Sequence, residues 1–161
     1  MKKPPDHTQP SADEFRATAR REFEFLLDEF GFREQPIPTN GAPENPVAVW
    51  FTSETTRVVV EGINWGSTAR VAIGRAVAAE QFENFDLLDL ATARSADRRA
   101  FDESRGNQLK QLATLAAILH DNGRDVLEGD FSVFPDLRAV VARRAAERRK
   151  PPVTGRPKLP G

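Results

Sequence analysis

Near the start of the chain, apolar residues recur at helical spacing. Phe15, Ala19, Phe23, Leu26, Leu27 and Phe30 stand three or four positions apart and lay one stripe along a helix. Ser11 can cap that helix, with Glu14 completing a capping box in which each side chain satisfies the other residue's free backbone N–H. Gly31 offers the left-handed residue that ends it, and Phe32 can fold back onto the stripe. Its polar face carries Glu22, Glu24, Asp28 and Glu29.

The spacing then changes. Residues 35–46 hold Pro36, Pro38, Pro43 and Pro46 with Asn40-Gly41, the composition of a connection with room for a short edge strand at Ile37. Two β-branched and aromatic runs follow, 47–51 and 56–60, joined by residues 52–55 as a hairpin loop. A third strand over about 68–73 comes after the turn Asn64-Trp65-Gly66-Ser67. Links this short allow only an antiparallel meander, because parallel pairing needs a long crossover.

From residue 76 onward the pattern is helical with interruptions. Phe82, Phe85, Leu87, Leu88 and Leu90 give an apolar side to an acidic segment over 80–91, and residues 93–106 read as a polar connection or a frayed helix. Leu109, Leu112, Ala113, Ala116 and Leu119 make a second strong stripe, stopped at Asn122-Gly123. A last helix holds Leu137, Val140, Val141 and Ala145 and runs into arginines before Pro151-Pro152. The order predicts an α+β fold: an N-terminal helix, a meander of three to four strands, then three C-terminal helices packed on one face of the sheet. Residues 11–149 are expected to form one domain, between a flexible Pro-rich leader (1–10) and a flexible, basic, Pro-rich tail (150–161). No internal repeat stands out.

Composition narrows the chemistry. A chain of 161 residues has room for one domain, and 39% hydrophobic residues with 11 Phe suffice for a core, which excludes wholesale disorder. No apolar run approaches a membrane span, and no apolar stretch follows Lys2-Lys3, so neither a membrane protein nor Sec export is expected. The absence of cysteine excludes disulfides, thiolate metal sites and a Cys nucleophile, and is compatible with a cytoplasmic location. With only His7 and His120, a histidine-based metal centre is not expected, and no cofactor is predicted.

The net charge of −1 hides an asymmetry: residues 137–161 sum to +7, leaving −8 on residues 1–136. Glu80, Glu83, Asp86 and Asp89 recur every third residue, which on a helix spreads them over half its circumference, too wide to converge on one ion. They predict a solvated acidic face suited to a cationic partner. His120-Asp121 could belong to a hydrolytic triad, but Ser67, Ser95, Ser104 and Ser132 sit in no nucleophile elbow, and a histidine in the last turn of a helix is expected to cap it. Gly62, Gly66 and Gly74 belong to no phosphate-cradling motif. Trp50 fits a strand core, whereas Trp65 in its Asn-Trp-Gly turn can anchor an interface. Arg143, Arg144, Arg148, Arg149 and Lys150 could neutralise phosphates, although the tail lacks interleaved aromatics and the body would repel a polyanion.

Four pieces in order carry a resemblance: the helix closing in Leu26-Leu27-Asp28-Glu29-Phe30-Gly31-Phe32, the hairpin, the apolar helix over 112–119, and Val126-Leu127-Glu128-Gly129-Asp130-Phe131 leading to Phe134 and Leu137. Over roughly residues 12–145 the chain resembles small bacterial immunity-type proteins that accompany polymorphic toxins. The resemblance implies an intracellular α+β protein that binds and blocks a cognate toxin without chemistry of its own. Acidic residues suit such a role, because a cationic active site is met faster and more specifically by an acidic surface. The expected partner-binding residues are Glu22, Asp28, Glu29, Trp65, Glu80, Glu83, Asp86 and Asp89. The alternatives are a nucleic-acid-associated or assembly protein acting through the basic tail, and an enzyme with an unrecognised carboxylate or arginine site.

Overall fold

The computed structural model describes residues 10–36, 47–63, 66–76 and 83–149. The leader up to residue 9, the tail, and with them His7, Ile37, Trp65, Glu80 and Lys150 lie outside these residues.

The N-terminal stripe folds as two helices, α1 (Ala12–Glu22) and α2 (Phe25–Phe30), and not as the single helix that the spacing predicts. Ser11 Oγ accepts the Glu14 N–H at 3.1 Å as the cap of α1. At Phe23 the backbone leaves helical geometry, its N–H still bonded to the Ala19 carbonyl, and helix resumes at Phe25. Phe15, Ala19, Phe23 and Leu26 stay fully buried across this break, whereas Leu27 is turned outward and 43% exposed. Gly31 ends α2 with φ +69, and the Phe32 N–H bonds back to the Leu26 carbonyl as Phe32 enters the core.

The tight exit leads directly into β1 (Arg33–Gln35), which opens a five-stranded antiparallel meander with β2 (Ala48–Thr52), β3 (Thr56–Ile63), β4 (Thr68–Arg75) and β5 (Asn84–Asp86), paired in chain order. Alternation assigns the faces. Val49, Phe51, Val58, Val60, Val71, Ile73 and Phe85 line up across the register and share one core with the helices.

The prediction of a helix over the acidic segment is overturned at its start. Phe85 pairs with Ile73 as a strand residue, and Asp86, through its side chain, accepts the Leu88 N–H at 2.8 Å to cap α3 (Leu87–Ala93). The polar connection that follows contains α4 (Arg99–Glu103). After it come α5 (Gln108–Asn122), the single turn α6 (Arg124–Leu127) and α7 (Phe134–Arg149), so five helical segments follow the sheet where three were expected. The buried side of α5 is rotated from its predicted stripe: Gln108, Gln111, Leu115 and Ile118 face inward with Leu112, Ala116 and Leu119, while Ala113 is exposed.

Candidate functional site

The charge asymmetry along the chain closes on itself in the fold. α7 lies against α3, and its arginines take up the acids that the sequence left facing solvent. Arg138 binds Glu83 with Nε 2.9 Å and Nη2 2.7 Å from Oε1. Arg144 grips Asp89 through both carboxylate oxygens, at 2.6 and 3.2 Å, with the Asp89 side chain only 6% exposed. Asp86 is flanked by Arg70 at 3.4 Å, and Arg70 also reaches Glu61 at 3.5 Å. Burial pushes the Asp86 carboxyl above its ordinary value, against the opposing Leu88 N–H and Arg70. The three described acids of this segment are therefore held inside the molecule's own ion pairs.

A second carboxylate group gathers elsewhere. Thr56, in the first position of β3, donates its hydroxyl to the buried Val126 carbonyl at 2.8 Å and draws the β2–β3 turn against α6. Just past α6, Gly129 at φ +93 passes so close to Thr55 that a Cβ there would lie 2.9 Å from the threonine Oγ1. The end of α2 completes the enclosure. Between these three connections lies an open cleft of about 410 Å³ presenting Glu29, Glu54 and Glu128, with Phe30 and Leu127 in its wall.

Glu29 is oriented from outside the cleft, since its carboxylate meets His120 Nε2 at 3.0 Å and Arg124 at 3.6 Å. His120 also packs edge-on against Phe25, with ring centroids 5.0 Å apart, and its Nδ1 is 3.6 Å from Asp121. The histidine thus ties the end of α5 to α2 instead of capping its own helix or facing a serine. Among the described residues, Glu54, Glu128 and the neighbouring Asp28 have no cationic partner. Glu22 is 3.4 Å from Arg21 on α1.

The fold therefore brings Glu29, of the expected partner-binding residues, to a concave surface and adds Glu54 and Glu128, which the sequence reading missed. Both stand in turns 74 positions apart, and no local periodicity relates them. The arrangement suits a cation. Among the described residues no group of His, Asp and Glu side chains is disposed to hold a metal ion, and no helix is long and apolar enough to cross a membrane.

Compared with known proteins, the chain matches no family model, no curated protein and no solved structure.

Proposed function

We propose that this chain acts by binding another protein, without chemistry of its own, in the manner of the immunity-type inhibitors that its sequence resembles. The observation that carries the reading is the acidic cleft. Among the described residues Glu54 and Glu128 face it without a cationic partner, whereas Glu83, Asp86 and Asp89 are already neutralised by Arg138, Arg70 and Arg144. An arginine or lysine of a partner entering between Glu29, Glu54 and Glu128 would gain charge-assisted hydrogen bonds, and the surrounding negative potential would steer a cationic toxin site toward it.

The test compares the tagged full chain with its Glu54→Lys/Glu128→Lys variant in capture from source cells. A protein held stoichiometrically by the native chain, released by added salt and lost from the variant supports the reading. Capture of the same protein by both, or of no protein, overturns it.

A further inference from the structure

Beyond Leu137, α7 has little apolar anchorage. Its buried residues, Phe134 and Leu137, both belong to its opening turn, and of residues 138–149 only Val140 and Ala145 are half-buried, the rest being exposed. Alanine, arginine and glutamate favour helix here, yet a free helix of this length is marginal in water. What holds the segment down is charge. Arg138 reaches Glu83 at 2.7 Å and Arg144 reaches Asp89 at 2.6 Å. The first pair is about half exposed on both sides, and an ion pair so open to water contributes little to stability and is screened by salt.

The carboxylates beneath are fixed more firmly than the helix above them. Asp89 stands in the first turn of α3, where Leu87, Leu90 and Ala91 are fully buried, and Glu83 directly precedes β5, which is paired to β4. Asp86, between them, is held by the Leu88 N–H and by Arg70, neither of which belongs to α7. The contact is therefore asymmetric, with an anchored acidic face on one side and a weakly anchored basic segment on the other. The structure also shows the kind of group this face accepts: a guanidinium lying across both carboxylate oxygens of Asp89. That geometry is met equally by an arginine of another chain.

We propose that residues 138–149 form a displaceable strap, which occupies the Glu83 and Asp89 face in the free protein, unwinds as a unit back to Leu137, and yields both carboxylates to an arginine-bearing segment of a partner protein. This face shares no residue with the cleft of Glu29, Glu54 and Glu128, and the proposal does not depend on that site.

Amide hydrogen exchange, read residue by residue by NMR on the full chain, tests this. The amides of residues 142–147 should share one protection factor, lower than those of buried α5, and exchange about fivefold faster at 500 than at 50 mM salt as the two ion pairs are screened. An octa-arginine peptide should accelerate the same amides beyond potassium chloride of equal ionic strength and shift the signals of Leu88, Asp89 and Leu90, in the native chain and in Glu54→Lys/Glu128→Lys alike. Arg138→Gln/Arg144→Gln should exchange fast already at 50 mM salt and lose the salt dependence, whereas Arg138→Lys/Arg144→Lys should keep it. The α5 amides in the same spectra report whether each variant is folded, and if the glutamine variant is not, the response of the native chain to salt and peptide decides. Four results would overturn the proposal: exchange of 142–147 in step with α5, protection that merely declines residue by residue toward Arg149, a peptide effect no larger than that of salt, or one lost in Glu54→Lys/Glu128→Lys, which would put the peptide in the cleft instead.

Discussion

Arg144 on α7 places both of its terminal nitrogens on the carboxylate of Asp89, with Nη1 2.6 Å from Oδ1, and it does so across 55 positions of sequence. The two ends of this bond differ in environment. The Asp89 side chain is 6% exposed and that of Arg144 46%, so the carboxylate depends on the guanidinium far more than the reverse. A buried charge that loses its partner retains its desolvation penalty, whereas a half-exposed arginine is resolvated.

Arg144→Ala is therefore expected to destabilise the fold by on the order of 1–3 kcal/mol. Asp89→Asn combined with Arg144→Ala should be less destabilising than Arg144→Ala alone, because the charge to be satisfied is gone. Arg148→Ala, one turn further on and without a carboxylate partner among the described residues, should stay within about 0.5 kcal/mol of the native chain. Urea midpoints of the four proteins decide this, and equal losses at positions 144 and 148 would show that the pair does not anchor α7.

Acid sensitivity follows from a second pair. The side chain of Arg94, at the end of α3, binds Asp125 of α6 at 2.7 Å and also donates to the Asn122 carbonyl. Its guanidinium holds the Asp125 carboxyl below the usual range, despite partial burial. With the folded value depressed, the unfolded chain takes up the proton first. The stability that Asp125 contributes is present above the unfolded value near about 3.9 and drains away as pH falls through the folded one. Asp86 works in the opposite direction: its folded value is raised by burial, so the folded state binds the proton more readily and loses relative stability as pH rises through that value. Asp125→Asn should therefore be destabilising at pH 7, with the difference from the native chain narrowing toward pH 3. Asp86→Asn, which keeps a capping oxygen for the Leu88 N–H, should compare more favourably with the native chain at pH 7 than at pH 4. Urea titrations across this range check both signs.

How much of this was legible in the chain depends on the distance over which each feature is determined. The Ser11 cap of α1, which is half of the expected capping box, the left-handed stop at Gly31 and the central hairpin are local, and each forms where its residues stand. The acidic segment misleads because its every-third spacing imitates a helix, while the state of Phe85 is decided by pairing with Ile73, twelve positions earlier, and the state of Asp89 by an arginine 55 positions later. The cleft was hidden for the same reason. Nothing near Glu54 signals that Thr56 will bond to Val126 and bring Glu128 alongside.

Gln111 shows a polar residue doing a core residue's work. β5 pairs only with Ala72, Ile73 and Gly74 of β4, so the Ala69 N–H is met instead by Gln111 Oε1 at 2.6 Å, while Gln111 Nε2 donates to the Ser104 carbonyl at 3.3 Å. Gln111→Met keeps the volume but strands both backbone groups in a buried site. The expected loss is about 1–3 kcal/mol in urea denaturation. A loss under about 0.5 kcal/mol would mean that the two groups find other partners.

Two glycines separate backbone strain from crowding beside the cleft. Gly31 and Gly129 both have positive φ, +69 and +93, but a Cβ on Gly31 would meet nothing within 4 Å, whereas one on Gly129 would lie 2.9–3.0 Å from the Thr55 side chain. Gly31→Ala thus carries only the left-handed penalty, roughly 1–2 kcal/mol. Gly129→Ala carries that and the overlap with Thr55, roughly 1–3 kcal/mol more. Thr55→Ala added to Gly129→Ala removes the Oγ1 and Cγ2 atoms from the crowded space, so the double variant should recover stability relative to Gly129→Ala, even though Thr55→Ala alone is not expected to stabilise the native chain. If the two glycine variants lose equally, or the second substitution restores nothing, then Thr55 yields freely and the wall between the β2–β3 turn and α6 is not tightly packed. A cleft with such a wall could not keep Glu54 and Glu128 at a fixed separation, so this comparison of stabilities also bears on how rigidly the acidic site is preorganised for a cation.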